Sequence, residues 1–182
     1  MNKQPHQVAQ TKQNLLTALC RLGKEKPLSK LSVTAICQTA GYNRTTFYNY
    51  YQDVEDMVDQ LAAQEVGRIR ANLAENIRHH QPSAAFVTTF ARLHAEDAAY
   101  YDFLFSPSGF PAFSRIARQE LAGLLGQKLG LPSNDPRTAY RLDYLITASL
   151  TVVGHWIANQ RDLPSTVIAD LLGELTRPLQ KN

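Results

Sequence analysis

Arg44, Thr45, Thr46, Tyr48, Asn49 and Tyr50 bring a guanidinium, hydroxyls, phenols and an amide into one short stretch. Together these groups can meet base edges, thymine methyls and phosphate oxygens in a DNA major groove. Phe47 and Tyr51, four residues apart, share the opposite face of a helix and can turn inward. Arg44, Thr45 and Asn49 are then base-edge candidates, and Thr34, Thr46, Tyr48, Tyr50 and Gln52 are phosphate candidates. Asn43, at the start of the same surface, completes the DNA-binding candidates.

Such a surface must be held by helices that end sharply. Ser32 can cap a first short helix in which Val33, Ile36 and Ala40 form an apolar stripe. Gly41 tolerates the positive φ of an abrupt helix exit, and Asn43 is a fresh N-cap for the next helix. Two short helices joined this closely make a helix-turn-helix. Upstream, Leu15, Leu16, Leu19 and Leu22 recur at helical spacing after a possible cap at Thr11, with Gly23 expected to close that helix.

The run Leu31-Ser32-Val33-Thr34-Ala35-Ile36, followed by Ala40 to Asp53 with its Thr46-Phe47-Tyr48 core, closely resembles the DNA-binding domain of TetR-family transcriptional regulators. The resemblance covers roughly residues 11–61. It implies an all-α chain: a three-helix helix-turn-helix domain at 1–52, joined by a long helix to a helical regulatory and dimerisation domain at 53–182. It also implies a dimeric regulator, most often a repressor, whose operator affinity a small ligand lowers. A two-fold dimer would read an inverted repeat of double-stranded DNA. Family members often carry Lys at the positions of Gln52 or Val54, so the backbone clamp of this chain is reduced. That departure keeps a second reading open, a TetR-like dimeric interaction protein with weak or lost DNA binding.

Charge is distributed to match. Through Gln52 there are seven basic residues against the single acid Glu25, and the remainder of the chain carries a small negative excess, for a net charge of +3. A basic segment beside a mildly acidic one suits a chain that meets a polyanion at one end. At least one of Lys24, Lys26 and Lys30 is expected at phosphate.

Beyond Asp53 every segment reads as helix. Asp53 caps a long one reaching to about His79, and Ser83 caps another after Pro82. Gly130 ends a helix that begins near Phe110, and a further pair covers about Arg137 to Asn159 and the stretch after Pro164-Ser165. The first of that pair is apolar on more than one side, which requires more than one partner. The pair resembles the closing helices that dimerise family members, which makes Thr151, His155, Ala158 and Leu171 candidates for the interface.

Phe90, His94, Tyr101, Phe105, Phe113, Tyr144 and Trp156 combine apolar bodies with polar tips and a titratable ring, and are the candidate ligand-binding residues. The resemblance places an effector in this part of the chain. No Gly-rich phosphate loop, nucleophile elbow or zinc spacing occurs, so neither an enzyme, a metal site nor a cofactor is expected. Cys20 and Cys37 lie on apolar stripes and read as buried free thiols. Apolar runs stop well short of membrane-spanning length, and no signal-type run begins the chain, so a cytoplasmic protein without a membrane partner is expected.

Overall fold

In the computed structural model, which describes residues 5–180, nine α-helices follow one another with no strand among the described residues. They are α1 (Pro5–Glu25), α2 (Val33–Ala40), α3 (Arg44–Tyr48), α4 (Val54–Asn76), α5 (Pro82–Glu96), α6 (Ala98–Leu104), α7 (Phe110–Lys128), α8 (Pro136–Ala158) and α9 (Ser165–Gln180). A short 3-10 turn at Leu28–Lys30 links α1 to α2.

Local chemistry sets most of these boundaries. The Ser32 hydroxyl accepts from the Ala35 amide, the Asn43 side chain from Thr46 and the Asp53 carboxylate from Asp56, so α2, α3 and α4 each start at a capping side chain. Gly41 ends α2 at φ 75°, and Gly130, at φ 65°, follows the end of α7. Side chains bearing Cβ atoms avoid that conformation.

Several expected boundaries are displaced. Thr11 does not cap α1; it lies inside the helix, and its hydroxyl bonds back to the Gln7 carbonyl. Ser83 likewise lies inside α5, whose first helical residue is Pro82, a position where the missing N–H costs nothing. The long helix α4 ends at Asn76.

Gly23 is the most instructive correction, because it sits within α1. A Cβ there would stand 2.5 Å from the Phe103 ring of α6, so the glycine marks a close approach between two helices and not a helix end. Gly23→Ala is expected to lower the melting temperature. Overpacking costs about 1–3 kcal/mol, against a gain in helix propensity of up to about 1 kcal/mol. Thermal unfolding followed by circular dichroism measures the balance, and a raised melting temperature would contradict the close packing.

One continuous apolar core runs through the molecule. Around α1 to α3 it contains Leu15, Leu19, Ile36, Cys37, Phe47 and Tyr51; farther along it contains Met57, Leu61, Ile69, Phe90, Phe103, Phe113, Ile146 and Leu150. The α4 helix belongs to both parts and packs on α5 and α7, while α7 packs on α8 and α5 on α9. Cys20 and Cys37 are buried free thiols. Among the described residues no helix is long and apolar enough to cross a membrane.

Candidate nucleic-acid interface

The helix that presents the polar stretch is only five residues long, so tertiary contacts must hold it. Phe47 is fully buried beneath it, and its ring meets Tyr51 at 5.4 Å and Tyr48 edge-on at 5.6 Å. Asn14 of α1 donates to the Tyr42 hydroxyl and braces the turn that precedes it. On this seat Arg44, Thr45, Tyr48 and Asn49 face outward and are exposed, as is Thr34 at the start of α2.

The exposed groups are not all equally available. Thr46 is half-buried, and both its amide and its hydroxyl donate to the Asn43 side-chain oxygen, at 2.8 and 3.0 Å. The structure thus uses Asn43 and Thr46 to cap α3. Arg44 donates to the Tyr48 hydroxyl at 3.2 Å and lies over its ring. That pairing spans one turn of exposed surface and orients the guanidinium while leaving its other N–H groups free to reach a guanine edge.

Lys12 of α1 is a residue the sequence did not single out. Its ammonium stands 5.7 Å from the ring centres of both Tyr50 and Tyr51, which brings a cation to the edge of the candidate surface. Its only sequence signal was a positive charge in the first helix. By contrast, Lys24 pairs with Asp102 of α6 at 3.0 Å, an exposed ion pair that ties α1 to α6. Lys26 and Lys30 remain exposed.

Gln52 is exposed at the corner before α4, where its amide donates to the Asp56 carboxylate at 2.8 Å. Asp53 takes the Asp56 amide at 2.7 Å, and Glu55 adds a further acid in the same turn. Carboxylates already complement the positive end of the α4 dipole, so this helix start attracts phosphate weakly. Neither position 52 nor position 54 carries a cation to offset these acids.

The candidate ligand residues separate into groups. Phe90, Tyr101, Phe105 and Phe113 form a packed aromatic cluster, with Phe90 5.7 Å from Phe105 and Phe105 edge-on to Phe113 at 5.4 Å. The Tyr101 hydroxyl donates to the fully buried Glu65 carboxylate at 2.9 Å, which Arg68 also engages. Burial first, then the adjacent Glu65, pushes the Tyr101 phenol far above its ordinary range. Trp156 is buried and donates its indole N–H to the Leu163 carbonyl at 2.8 Å, while His94, near the end of α5, meets Asp102 of α6. Tyr144 stands apart, 60% exposed on the outer side of α8.

A small, partly open pocket of about 30 Å³ lies elsewhere, between α5, α7, α8 and α9, lined by Phe86, Leu125, Leu145, Ile146 and Leu172 among others. A space of that size holds one or two waters at most.

No family model and no curated protein matches the sequence. Solved structures do match the fold. The fatty acid degradation regulator FadR from Bacillus halodurans superposes with a TM-score of 0.65 at 15% identity, over 97% of this chain and 96% of that one. FadR from Bacillus subtilis, solved with stearoyl-CoA, gives 0.63 at 17% identity, over 90% and 96%. A TetR-family transcriptional regulator from Syntrophomonas wolfei gives 0.63 at 18% identity, over 93% and 94%. The chain therefore has the all-α fold of these regulators along nearly its whole length.

Proposed function

We propose that this chain is a TetR-family transcriptional regulator that binds DNA through α3 and the start of α2, as a homodimer on an inverted repeat. The observation that carries the reading is the outward row of Arg44, Thr45, Tyr48 and Asn49 over the buried Phe47 and Tyr51. Arg44, Thr45 and Asn49 take the base-edge roles. Thr34, Tyr48, Tyr50, Gln52 and Lys12 take the backbone roles, and Asn43 and Thr46 set the angle at which α3 is presented. On this reading residues 1–52 form the DNA-binding domain and 53–182 the regulatory and dimerisation domain.

Selection of bound sequences from a random duplex pool tests the proposal. A palindromic consensus is expected; no enrichment would overturn DNA reading in favour of a TetR-like interaction protein. On the selected duplex, Arg44→Ala should weaken binding by about 1–3 kcal/mol and relax the preference at one base step. Equal titration curves for parent and variant, on selected and random duplexes, would remove Arg44 from the reading surface.

The dimer face is assigned to the outer sides of α8 and α9. Val167, Leu171 and Leu175 recur every four residues on α9 and are 45%, 40% and 53% exposed, an apolar stripe unusual for a surface helix. Thr151, His155 and Ala158 are exposed on α8, and Tyr140 and Tyr144 continue its outer surface toward the N-terminal end. Tyr144 thus fits the interface better than the ligand site first expected for it.

An effector that lowers operator affinity is part of the reading. Phe90, Tyr101, Phe105 and Phe113 pack against one another, so a ligand of drug-like size at this position would open the packing between α5, α7, α8 and α9, where a small pocket already lies. The lining there favours an apolar molecule, in keeping with the fatty acid regulator and the stearoyl-CoA complex among the similar structures.

A further inference from the structure

A line of side chains crosses the molecule from the α8–α9 turn to α1. Arg161 of that turn places Nη2 2.8 Å from His94 Nδ1. His94 Nε2 stands 3.0 Å from one carboxylate oxygen of Asp102 in α6, and Lys24 of α1 donates to the other oxygen at 3.0 Å. A guanidinium only donates, so His94 Nδ1 must present its lone pair. The single ring proton then sits on Nε2 and is donated to Asp102. The contacts therefore specify a neutral imidazole in one tautomer.

Protonation changes this line at one point. A proton on Nδ1 would set N–H against N–H and cation against cation, which breaks the bond to Arg161, while the bond to Asp102 gains charge. The turn that would be released is under strain: Gln160 and Arg161 are consecutive non-glycine residues at φ 55° and 58°. That conformation is unfavourable for residues with a Cβ. The Arg161 amide bonds to the Trp156 carbonyl, and its guanidinium lies over the Trp156 ring and donates to the Ala91 carbonyl. These contacts and His94 hold the turn in place.

We propose that His94 is a proton-operated joint: neutral, it ties the α8–α9 turn through Asp102 to Lys24 and α1; protonated, it releases the turn. The charged groups that face it are Arg161 from the turn and Asp102 from α6, with Lys24 of α1 behind Asp102. Nearby, Arg68, Glu96, Asp97 and Arg92 are committed to pairs among themselves. The Cys20 thiol of α1 stays uncharged, since burial pushes it up to about 12. Burial alone would raise Asp102, but hydrogen bonds from Lys24 and His94 outweigh it and hold the carboxyl below its ordinary value. Asp102 thus remains an anion through the range in which histidines change charge.

The effect of this joint on DNA rests on the function proposed above; the joint itself can be tested without DNA. Nitrogen-15 NMR of the full chain from about pH 8 to about pH 5.5 is expected to show the Nε2–H tautomer of His94 at the alkaline end. As His94 titrates, the Arg161 side chain, the Trp156 indole and the Gly23 amide should shift along the same curve. His94→Gln should lose that response, and Arg161→Gln should lose it at Trp156 while His94 and Gly23, which lies on the Asp102 side of the ring, still respond. An Nδ1–H tautomer, or Trp156 and Gly23 signals that ignore His94, would overturn the joint. On a selected duplex, parent affinity should change at least about 5-fold more than that of His94→Gln between about pH 8 and about pH 6, and equal changes would overturn the coupling. If no duplex is selected, the function proposed above fails while the NMR result still decides the joint.

Discussion

Phe47→Ala is expected to cost about 3–5 kcal/mol and to abolish the proposed DNA binding by dismantling the seat of α3. The side chain is fully buried, touches Tyr48 and Tyr51, and is the one buried residue of a five-residue helix. A helix that short has no stability of its own, so the orientation of Arg44, Thr45 and Asn49 depends on this anchor. Against a typical stability of about 5–15 kcal/mol the loss is large, and in a chain of this size each kcal/mol lowers the melting temperature by roughly 2–4 °C. Thermal unfolding by circular dichroism measures it. A variant that melts with the parent would show that α3 is anchored elsewhere. Phe47→Leu keeps most of the apolar volume and should recover a large part of the stability, which separates the packing effect from any specific role of the ring.

Replacing Leu171 and Leu175 together by Glu is expected to convert the proposed dimer to monomers and to weaken operator binding by more than about 100-fold. Both side chains are substantially exposed in a single chain, so the monomer fold tolerates the charges. In the dimer they would bring four like charges into an apolar seam, where unpaired carboxylates are strongly disfavoured. Loss of the second half-site contact explains the size of the DNA effect, because a monomer surrenders the effective concentration that linkage provides. Sedimentation velocity reads the oligomeric state and a duplex titration reads the affinity. A double variant that sediments as the parent does would move the interface away from α9. One that becomes monomeric yet binds a full palindrome with parent affinity would refute coupled half-sites.

Much of this was legible in the chain because it depends on neighbours in sequence. Caps at Ser32, Asn43 and Asp53, the left-handed exit at Gly41 and the inward pair Phe47 and Tyr51 are consequences of local hydrogen bonding and helical period. The helix-turn-helix and the all-α fold follow from them. Where residues can serve two local roles, the local reading failed. Thr11 and Ser83 are reasonable caps in isolation, yet both lie inside helices. Glycine at position 23 resembles a terminator until Phe103 is placed against it.

Tertiary structure alone decided how the side chains are spent. Thr46 and Asn43 carry suitable groups for DNA, but they satisfy each other at the start of α3; Lys24 carries a suitable charge, but Asp102, 78 positions away, takes it. The aromatic residues from Phe90 to Phe113 have the composition of a pocket and the packing of a core, and Tyr144 stands outside them. Helical period tells which residues share a face, since it depends only on backbone geometry. What covers that face depends on contacts between segments far apart in sequence, and so the chain by itself determined the helices and the polar row on α3, while folding decided which of its polar groups remain for a partner.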